Sequence, residues 1–239
     1  RDYSAALKYY CLGADAGIKG CKTNMGLIYE KGWGCKIDLH RAFLLYKEDA
    51  DAGDEVACFN LGINYELGIG VPIDYSKARE YYERAAESGV RDACTKLGYL
   101  YESGRGVEKN REKAKYWFIK AAEAGDPSGY FDVGRLYHYG IGGDVDNTEA
   151  ISWYKKAADL NYGPAQNNLG TMYEAGNGVD IDLQQAFSYY QSAAQSNDWG
   201  SSIAKDNLAG MYYDGEGVNQ DYEKAAYWFK LAAKEDISN

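Results

Sequence analysis

Apolar and small residues return along this chain with the spacing of one helix face, inside a repeat of 36 residues. In one repeat, a small residue, a leucine, a glycine and a tyrosine stand at Ala57, Leu61, Gly62 and Tyr65. Offsets of four, five and eight put these side chains on one face of an α-helix. The glycine stands at Gly26, Gly62, Gly98, Gly134 and Gly170, and Ala209 takes its place 39 residues later. The pattern therefore predicts a first helix in each of six repeats.

A second helix is predicted after the G-x-G turn of each repeat. From Asn110, offsets of four, seven, eight and twelve reach Ala114, Trp117, Phe118 and Ala122, which is a helical period of large and small apolar residues. The expected N-cap residues, whose side chains accept hydrogen bonds from free backbone N–H groups, are Asp38, Asp74, Asn110, Asp146, Asp182 and Asp221. The expected left-handed residues at the helix ends are Gly53, Gly89, Gly125, Asn161 and Asn197.

The motif glycine has a packing role in this interpretation. Glycine costs about 1 kcal/mol in a helix interior, so its recurrence indicates that the missing Cβ lets a neighbouring helix come close. Lys96, two positions before Gly98, is expected to be exposed instead. The motif tyrosine is present in all six copies, and its ring is expected to fill the core with the hydroxyl at the edge.

A repeat of this length is typical of a solenoid, in which each repeat buries its apolar face against its neighbours. The copies divide the single array 1–239 into repeats spanning 18–53, 54–89, 90–125, 126–161, 162–197 and 198–236. Residues 1–17 have the pattern of a second helix from a preceding, truncated repeat. The sequence thus predicts an all-α fold with about thirteen helices, seven of the second type and six of the first. Neither end has a polar capping helix, which favours a fragment of a longer protein.

The repeated residues resemble those of the Sel-1-like repeat family, which is related to the tetratricopeptide repeats. Residues 90–125 closely match the string A-x-x-x-L-G-x-x-Y-x-x-G-x-G-V-x-x-D-x-x-K-A-x-x-W/Y-x-x-K-A-A-x-x-G, and the likeness covers the whole chain. Val133, Gly143 and Ala209 depart from the string without disturbing its register. The resemblance implies a right-handed superhelix of antiparallel helix pairs that serves as an adaptor for protein complexes.

The charge balance narrows the class of partner. The chain has 36 Asp and Glu against 26 Lys and Arg, a net charge of −10. Nucleic acids and anionic membranes both require a cationic surface, so neither is an expected partner. No apolar run approaches the roughly 18 residues of a membrane-spanning helix. The expected partner is a protein or peptide, and the oligomeric state stays open.

The five cysteines all lie in the first 94 residues, at Cys11, Cys21, Cys35, Cys58 and Cys94. An odd number cannot pair completely within one chain, and no C-x-x-C occurs. The cysteines are interpreted as free thiols that fill small apolar positions, with one or two disulfides as the alternative. Free thiols favour a reducing compartment, whereas a secreted or periplasmic location stays open.

Residues for catalysis, metal binding or cofactor binding are not apparent in the pattern. His40 and His138 are the only histidines and lie 98 residues apart, without the ligand spacing of a zinc site. The glycine-rich turns do not continue into G-K-[ST] and follow no predicted strand, so a phosphate-binding loop is not expected. The sequence therefore predicts no enzyme, no metal and no cofactor.

The resemblance also indicates a binding surface, because first helices line the concave face in the related helical-repeat architecture. Groove-facing positions should lie two before, two after and five after the motif leucine. There, an apolar patch is predicted at Phe59, Ile63, Tyr99 and Phe131, with Arg135 and His138 beside it, and an acidic column at Glu30, Glu66, Glu102 and Glu174. These residues would suit a basic peptide with apolar anchors, since aromatic side chains are frequent binding hot spots. The alternative is that the aromatics pack inward and the acids are ordinary solvated residues.

Asparagine precedes the motif leucine in four repeats, at Asn24, Asn60, Asn168 and Asn207. An amide both donates and accepts hydrogen bonds, so a row of amides could hold an extended peptide backbone. A local hydrogen bond on each helix is the alternative interpretation.

A non-enzymatic scaffold or adaptor that binds a protein along the concave face is the leading functional hypothesis. One alternative is an inhibitor or immunity-type protein that neutralises an enzyme, a role also known in proteins that resemble this family. Another is a regulatory repeat segment of a larger enzyme. The three extra residues near Trp199 are expected to alter the tilt between the last two repeats, with Trp199 folded back as a plug.

Overall fold

The computed structural model describes residues 2–196 and 200–236, and side chains as far as residue 234. Within these residues the chain is all-α, with thirteen helices and no strand, which confirms the predicted fold class. The helices are α1 (Tyr3–Asp15), α2 (Cys21–Lys31), α3 (Leu39–Asp51), α4 (Glu55–Leu67), α5 (Tyr75–Glu87), α6 (Arg91–Ser103), α7 (Arg111–Glu123), α8 (Pro127–Tyr139), α9 (Asn147–Asp159), α10 (Gly163–Ala175), α11 (Leu183–Ala194), α12 (Ser201–Asp214) and α13 (Tyr222–Asp236). None of them, over the described residues, has the length and apolar character needed to cross a membrane.

The helices belong to two compact units, Arg1–Ala124 with α1 to α7 and Gly125–Asn239 with α8 to α13. In each unit a first helix packs on the second helix of its own repeat, as α4 does on α5, and that second helix packs on the next first helix, as α5 does on α6. The expectations for Asn197 and Trp199 concern residues outside those that the structure describes.

The predicted caps begin the second helices. The Asp74 carboxylate accepts the backbone N–H of Lys77 at 3.0 Å, and the other five predicted caps accept the corresponding N–H groups. The Asp74 backbone N–H also donates to the carbonyl of the motif tyrosine Tyr65 at 2.9 Å, so the turn between the helices is closed at its base. At the far end of α9, Asn161 has φ +60°, the left-handed conformation expected there.

Each motif glycine lies under an aromatic ring from the second helix of its own repeat. A Cβ on Gly134 would lie 2.6 Å from Tyr154 Cδ1, and one on Gly170 would lie 2.5 Å from Tyr190 Cε1. The five rings involved are fully buried, and they are Tyr46, Tyr82, Phe118, Tyr154 and Tyr190. In the last repeat, where Ala209 replaces the glycine, the equivalent ring of Phe229 is 43% exposed. The glycine thus makes room for a ring of its own repeat.

The motif tyrosine is buried in three repeats and half-buried in the other three, and in most repeats a cation lies over its ring. Tyr65 and Tyr101 are buried, with Lys77 and Lys113 placed 5.3 and 5.2 Å from the respective ring centroids. These lysines stand three residues after the N-cap, so the cation–π contact links the start of the second helix to the first helix. The Tyr101 hydroxyl reaches Glu83 Oε1 at 3.5 Å, which places the polar end of the ring beside a partner as expected.

All five cysteines are free thiols in the structure. Cys58 and Cys94 are buried, and burial raises the pKa of the Cys58 thiol because it disfavours the thiolate. Cys58 and Cys94 therefore fit the interpretation of the cysteines as small apolar residues of the packing, Cys21 and Cys35 are half-buried, and the exposed Cys11 does not fit it.

Candidate surface for protein binding

Three first helices of the first compact unit lie side by side. Thr23 Oγ1 of α2 donates to Asp54 Oδ1, the N-cap of α4, at 3.3 Å. Lys96 Nζ of α6 lies 3.0 Å from Glu66 Oε2 of α4. We call the surface of these helices the first-helix face, and its defining residues are Leu27 and Glu30 of α2, Ile63 and Glu66 of α4, and Tyr99 and Glu102 of α6.

The predicted acidic column is engaged in internal hydrogen bonds. The hydroxyl of Tyr82 donates to Glu66 Oε2 at 2.5 Å, and that of Tyr46 donates to Glu30 Oε2 at 2.9 Å. Glu66 also pairs with Lys96, and its side chain is only 16% exposed. Glu30 pairs with Lys31 at 2.7 Å. The expectation of ordinary solvated carboxylates is wrong for Glu30 and Glu66, because the buried tyrosines draw them inward.

The same hydrogen bond recurs in the second compact unit, where the Tyr190 hydroxyl donates to Glu174 Oε2 at 2.5 Å. Burial raises the pKa of Tyr82 and Tyr46 far above the ordinary range, and the neighbouring carboxylate adds a smaller rise. These hydroxyls therefore stay protonated and keep their role as donors. In the third full repeat, Phe118 takes the place of the tyrosine and has no hydroxyl to offer Glu102.

The four predicted apolar residues do not form one patch. Tyr99 packs edge-on against Phe118 with ring centroids 5.2 Å apart and is still 40% exposed. Phe59 is half-buried against Tyr82 at 5.7 Å, and Ile63 is half-buried against the same core. Phe131 is only 5% exposed. The assignment of Phe131 to the binding surface is therefore a misassignment, because its ring packs into the core of the second compact unit.

Arg135 and His138 lie on α8, in the second compact unit, and both have partners there. Arg135 Nε is 3.3 Å from Oδ1 of the buried Asp132. The His138 ring stacks on Tyr139 at 4.5 Å, and its Nδ1 is 3.4 Å from the Tyr154 hydroxyl. Burial lowers the pKa of His138, since the low dielectric disfavours the imidazolium. His138 thus lies beside the hydroxyl of Tyr154, at the repeat position where other repeats have a glutamate.

The asparagines before the motif leucine differ from repeat to repeat. Asn24 Nδ2 donates to the Gly20 carbonyl at 2.9 Å, which is the local hydrogen bond of the alternative interpretation. Asn207 Nδ2 donates to Asn167 Oδ1 at 2.9 Å, and Asn168 is half-buried. Asn60 Nδ2 is buried without a hydrogen-bond partner. The row therefore does not form a uniform ladder of amides.

Sequence reasoning missed two features of this surface. The Lys96 side chain is half-buried on the first-helix face, although the sequence predicts that it is exposed. The tyrosine–glutamate bonds were also missed, although glutamate precedes the buried tyrosine by 16 residues in each bonded pair. That constant separation was the signal that could have revealed them.

The helix pairs, the ring-over-glycine packing and the G-x-G turns define a helical-repeat solenoid protein. The profile described as Sel1 repeat matches residues 1–18, 21–54, 56–90, 91–126, 127–162, 163–198 and 202–236. The chain belongs to the Sel1 repeat family. Proteins of this family are generally non-catalytic helical-repeat scaffolds, and the fold is typical of protein–protein interaction.

Solved structures agree with this membership. The chain is 34% identical to c5321, a protective antigen present in uropathogenic Escherichia coli strains displaying an SLR fold, with a TM-score of 0.85. That match covers 96% of this chain and 48% of c5321, so this chain spans about half of that protein. A Sel1 repeat protein from Oxalobacter formigenes is also 34% identical, with a TM-score of 0.85 over 90% of this chain and 87% of that one.

An immunity protein of Pseudomonas aeruginosa, Pa5087, shares the fold at lower similarity. It is 23% identical, with a TM-score of 0.57 over 83% of this chain and 75% of its own. At this identity the likeness concerns the fold alone. None of the curated proteins matches this chain.

Proposed function

We propose that this chain is a non-catalytic scaffold that binds a protein partner through the first-helix face. One observation carries the proposal: Leu27, Ile63 and Tyr99 occupy the same position in three consecutive first helices, and all three keep part of their surface exposed. The equivalent residues of the second compact unit are Arg135, Thr171 and Gly210. An apolar row confined to one part of a repeat array is not required by the repeat itself, and apolar patches with a polar rim commonly mark binding surfaces.

The carboxylates beside this apolar row are held in fixed positions, which favours binding. The Tyr46 and Tyr82 hydroxyls fix the carboxylates of Glu30 and Glu66 before any partner arrives. Ordering a long side chain on association costs about 0.5–1.5 kcal/mol, so carboxylates that are already held reduce this cost. The apolar row would then slow dissociation of the partner. The carboxylates of Glu30 and Glu66 would orient the partner and speed its association.

The tyrosine–glutamate pairs favour a structural role over acid–base catalysis. A general acid or base works best when its pKa lies near the operating pH. The pKa of the Tyr46 and Tyr82 hydroxyls is shifted away from that range by burial. These two hydroxyls therefore act as hydrogen-bond donors that hold Glu30 and Glu66 in place, which suits a rigid binding surface.

The test compares two sets of substitutions after a partner has been captured and identified with this chain as bait. Leu27→Thr, Ile63→Thr and Tyr99→Thr together introduce the residue that Thr171 already provides at this position in another repeat. We expect them to weaken binding at least tenfold in surface plasmon resonance, mainly through faster dissociation, because apolar anchors of a hot spot cost about 1–3 kcal/mol each.

The matched control changes exposed apolar residues of second helices, Leu44→Thr on α3 and Tyr116→Thr on α7. Binding should be unchanged there. A folded triple variant with full affinity, or an equal loss in the control, would contradict the proposed surface.

The two alternatives, an inhibitor of an enzyme and a regulatory segment of a larger enzyme, are special cases of protein binding. No residue of the first-helix face favours either of them over a general scaffold. The identity of the captured partner would distinguish the three.

A further inference from the structure

Lys96 covers a carboxylate in the middle of the first-helix face. Its Nζ lies 3.0 Å from Glu66 Oε2, and its side chain is 34% exposed. The same oxygen accepts the Tyr82 hydroxyl at 2.5 Å. The carboxylate is therefore fixed on its buried side by a phenol and covered from the neighbouring helix by a flexible ammonium group.

The preceding repeat lacks this arrangement. Asn60 stands at the position equivalent to Lys96, and it brings no charge toward Glu30. Glu30 pairs instead with Lys31, its neighbour on the same helix, whose side chain is 52% exposed. The ion pair between helices at Glu66 is thus not a requirement of the repeat fold.

Lysine is suited to an exchangeable contact. Its ammonium group is a compact, strongly hydrated point charge on a flexible stem, whereas an arginine can hold a carboxylate with two parallel hydrogen bonds. An arginine that approached Glu66 from a partner could therefore replace Lys96, and the released ammonium group would return to water.

We propose that Lys96 is an internal substitute for a cationic side chain of the partner, which displaces it from Glu66 on binding. This inference rests on the proposed function and commits the partner to a segment with basic side chains next to apolar ones. Charge complementarity supports that chemistry, because Leu27, Ile63 and Tyr99 each stand three residues before a glutamate. The chain as a whole has a net charge of −10.

The spacing of the face defines a probe. Packed neighbouring helices lie about 8–10 Å apart, and seven residues of a helix rise about 10.5 Å. A synthetic helical peptide of about three heptads, with one leucine and one arginine in each heptad, would match the apolar and acidic rows. A second peptide with glutamine in place of every arginine keeps the apolar row and removes the charge.

Fluorescence anisotropy of the labelled arginine peptide gives the dissociation constant for each variant. We expect Lys96→Gln to tighten binding about three- to fivefold at low salt, since exposed charge interactions have about this size. Glu66→Gln should weaken binding, and Lys96→Arg should give no gain because it keeps the cation. The glutamine peptide should bind Lys96→Gln no more tightly than the unmodified chain.

Lys109→Gln is the matched control, because it removes one exposed positive charge from a turn of the same compact unit. An equal gain in Lys109→Gln would show a general charge effect and would overturn the role of Lys96. Unchanged affinity in Lys96→Gln would also overturn it, while a loss of binding in Ile63→Thr would still support the proposed surface. If the arginine peptide binds neither the unmodified chain nor any variant, the partner segment is not basic and the proposal fails. If the peptide binds Ile63→Thr as tightly as it binds the unmodified chain, the first-helix face is not the binding surface.

Discussion

Replacement of Gly98 by leucine should destabilise the protein by about 3 kcal/mol, the upper part of the usual cost of overpacking a core. A side chain at this position would overlap the ring of Phe118, which is fully buried and cannot move outward without opening its repeat. The measurement is the free energy of unfolding from urea denaturation followed by circular dichroism.

Gly210→Leu is the matched control, because Gly210 is also a helical glycine and has no atom within 4 Å of its added Cβ. That substitution should be neutral or stabilising by up to about 1 kcal/mol, the gain in helix propensity. Truncation of the ring should relieve the clash, so Gly98→Leu with Phe118→Ala should cost less than the sum of the two single changes. Equal stability of Gly98→Leu and Gly210→Leu would contradict the packing of the glycine against the ring.

Asn64 and Leu100 stand at equivalent positions of neighbouring repeats, and replacing each by the other residue should change the free energy of unfolding in opposite directions. Asn64 is 1% exposed, and its Nδ2 is buried without a hydrogen-bond partner. The equivalent residue of the next repeat is Leu100, which is 2% exposed. Leucine branches at the same carbon as asparagine, so Asn64→Leu should stabilise the protein by about 1–3 kcal/mol, the cost of an unsatisfied buried polar group.

The reverse change, Leu100→Asn, should destabilise the protein by at least as much, because it buries an amide where leucine packs. Both effects are read from urea denaturation midpoints with an unchanged slope. A loss of stability in Asn64→Leu would mean that the amide has a partner that outweighs its burial, and would contradict this account of α4.

Features of the fold that depend on one repeat alone could be predicted from the sequence. The cap at Asp74 and the left-handed Asn161 follow from local hydrogen bonds and backbone angles that the residue types themselves favour. The place of the glycine at Gly98 also follows, although the group that fills the space is a ring of the same repeat and not simply a neighbouring helix backbone.

The exposure of residues on the surface depends on which side chains of neighbouring helices contact one another. It could not be predicted from the position in the repeat alone. Phe131 and Phe59 occupy equivalent positions, yet Phe131 is 5% exposed and packs between Tyr154 and Tyr162. The sequence predicts an exposed Lys96, yet the lysine is half-buried and forms an ion pair with Glu66. A long side chain on a first helix can reach the neighbouring repeat, so its exposure is set by a residue that is distant in sequence.

Two tyrosines of the same repeat allow the most direct test of the proposed surface. Tyr99 is on the first helix α6 and 40% exposed, whereas Tyr116 is on the second helix α7 and 53% exposed. Each can be replaced by the photoreactive aromatic p-benzoylphenylalanine, followed by irradiation of the complex with the captured partner and mass spectrometry of the products. We expect a cross-link to the partner from position 99 and none from position 116. A cross-link from position 116 alone would contradict the proposed surface and would place the partner on the second helices.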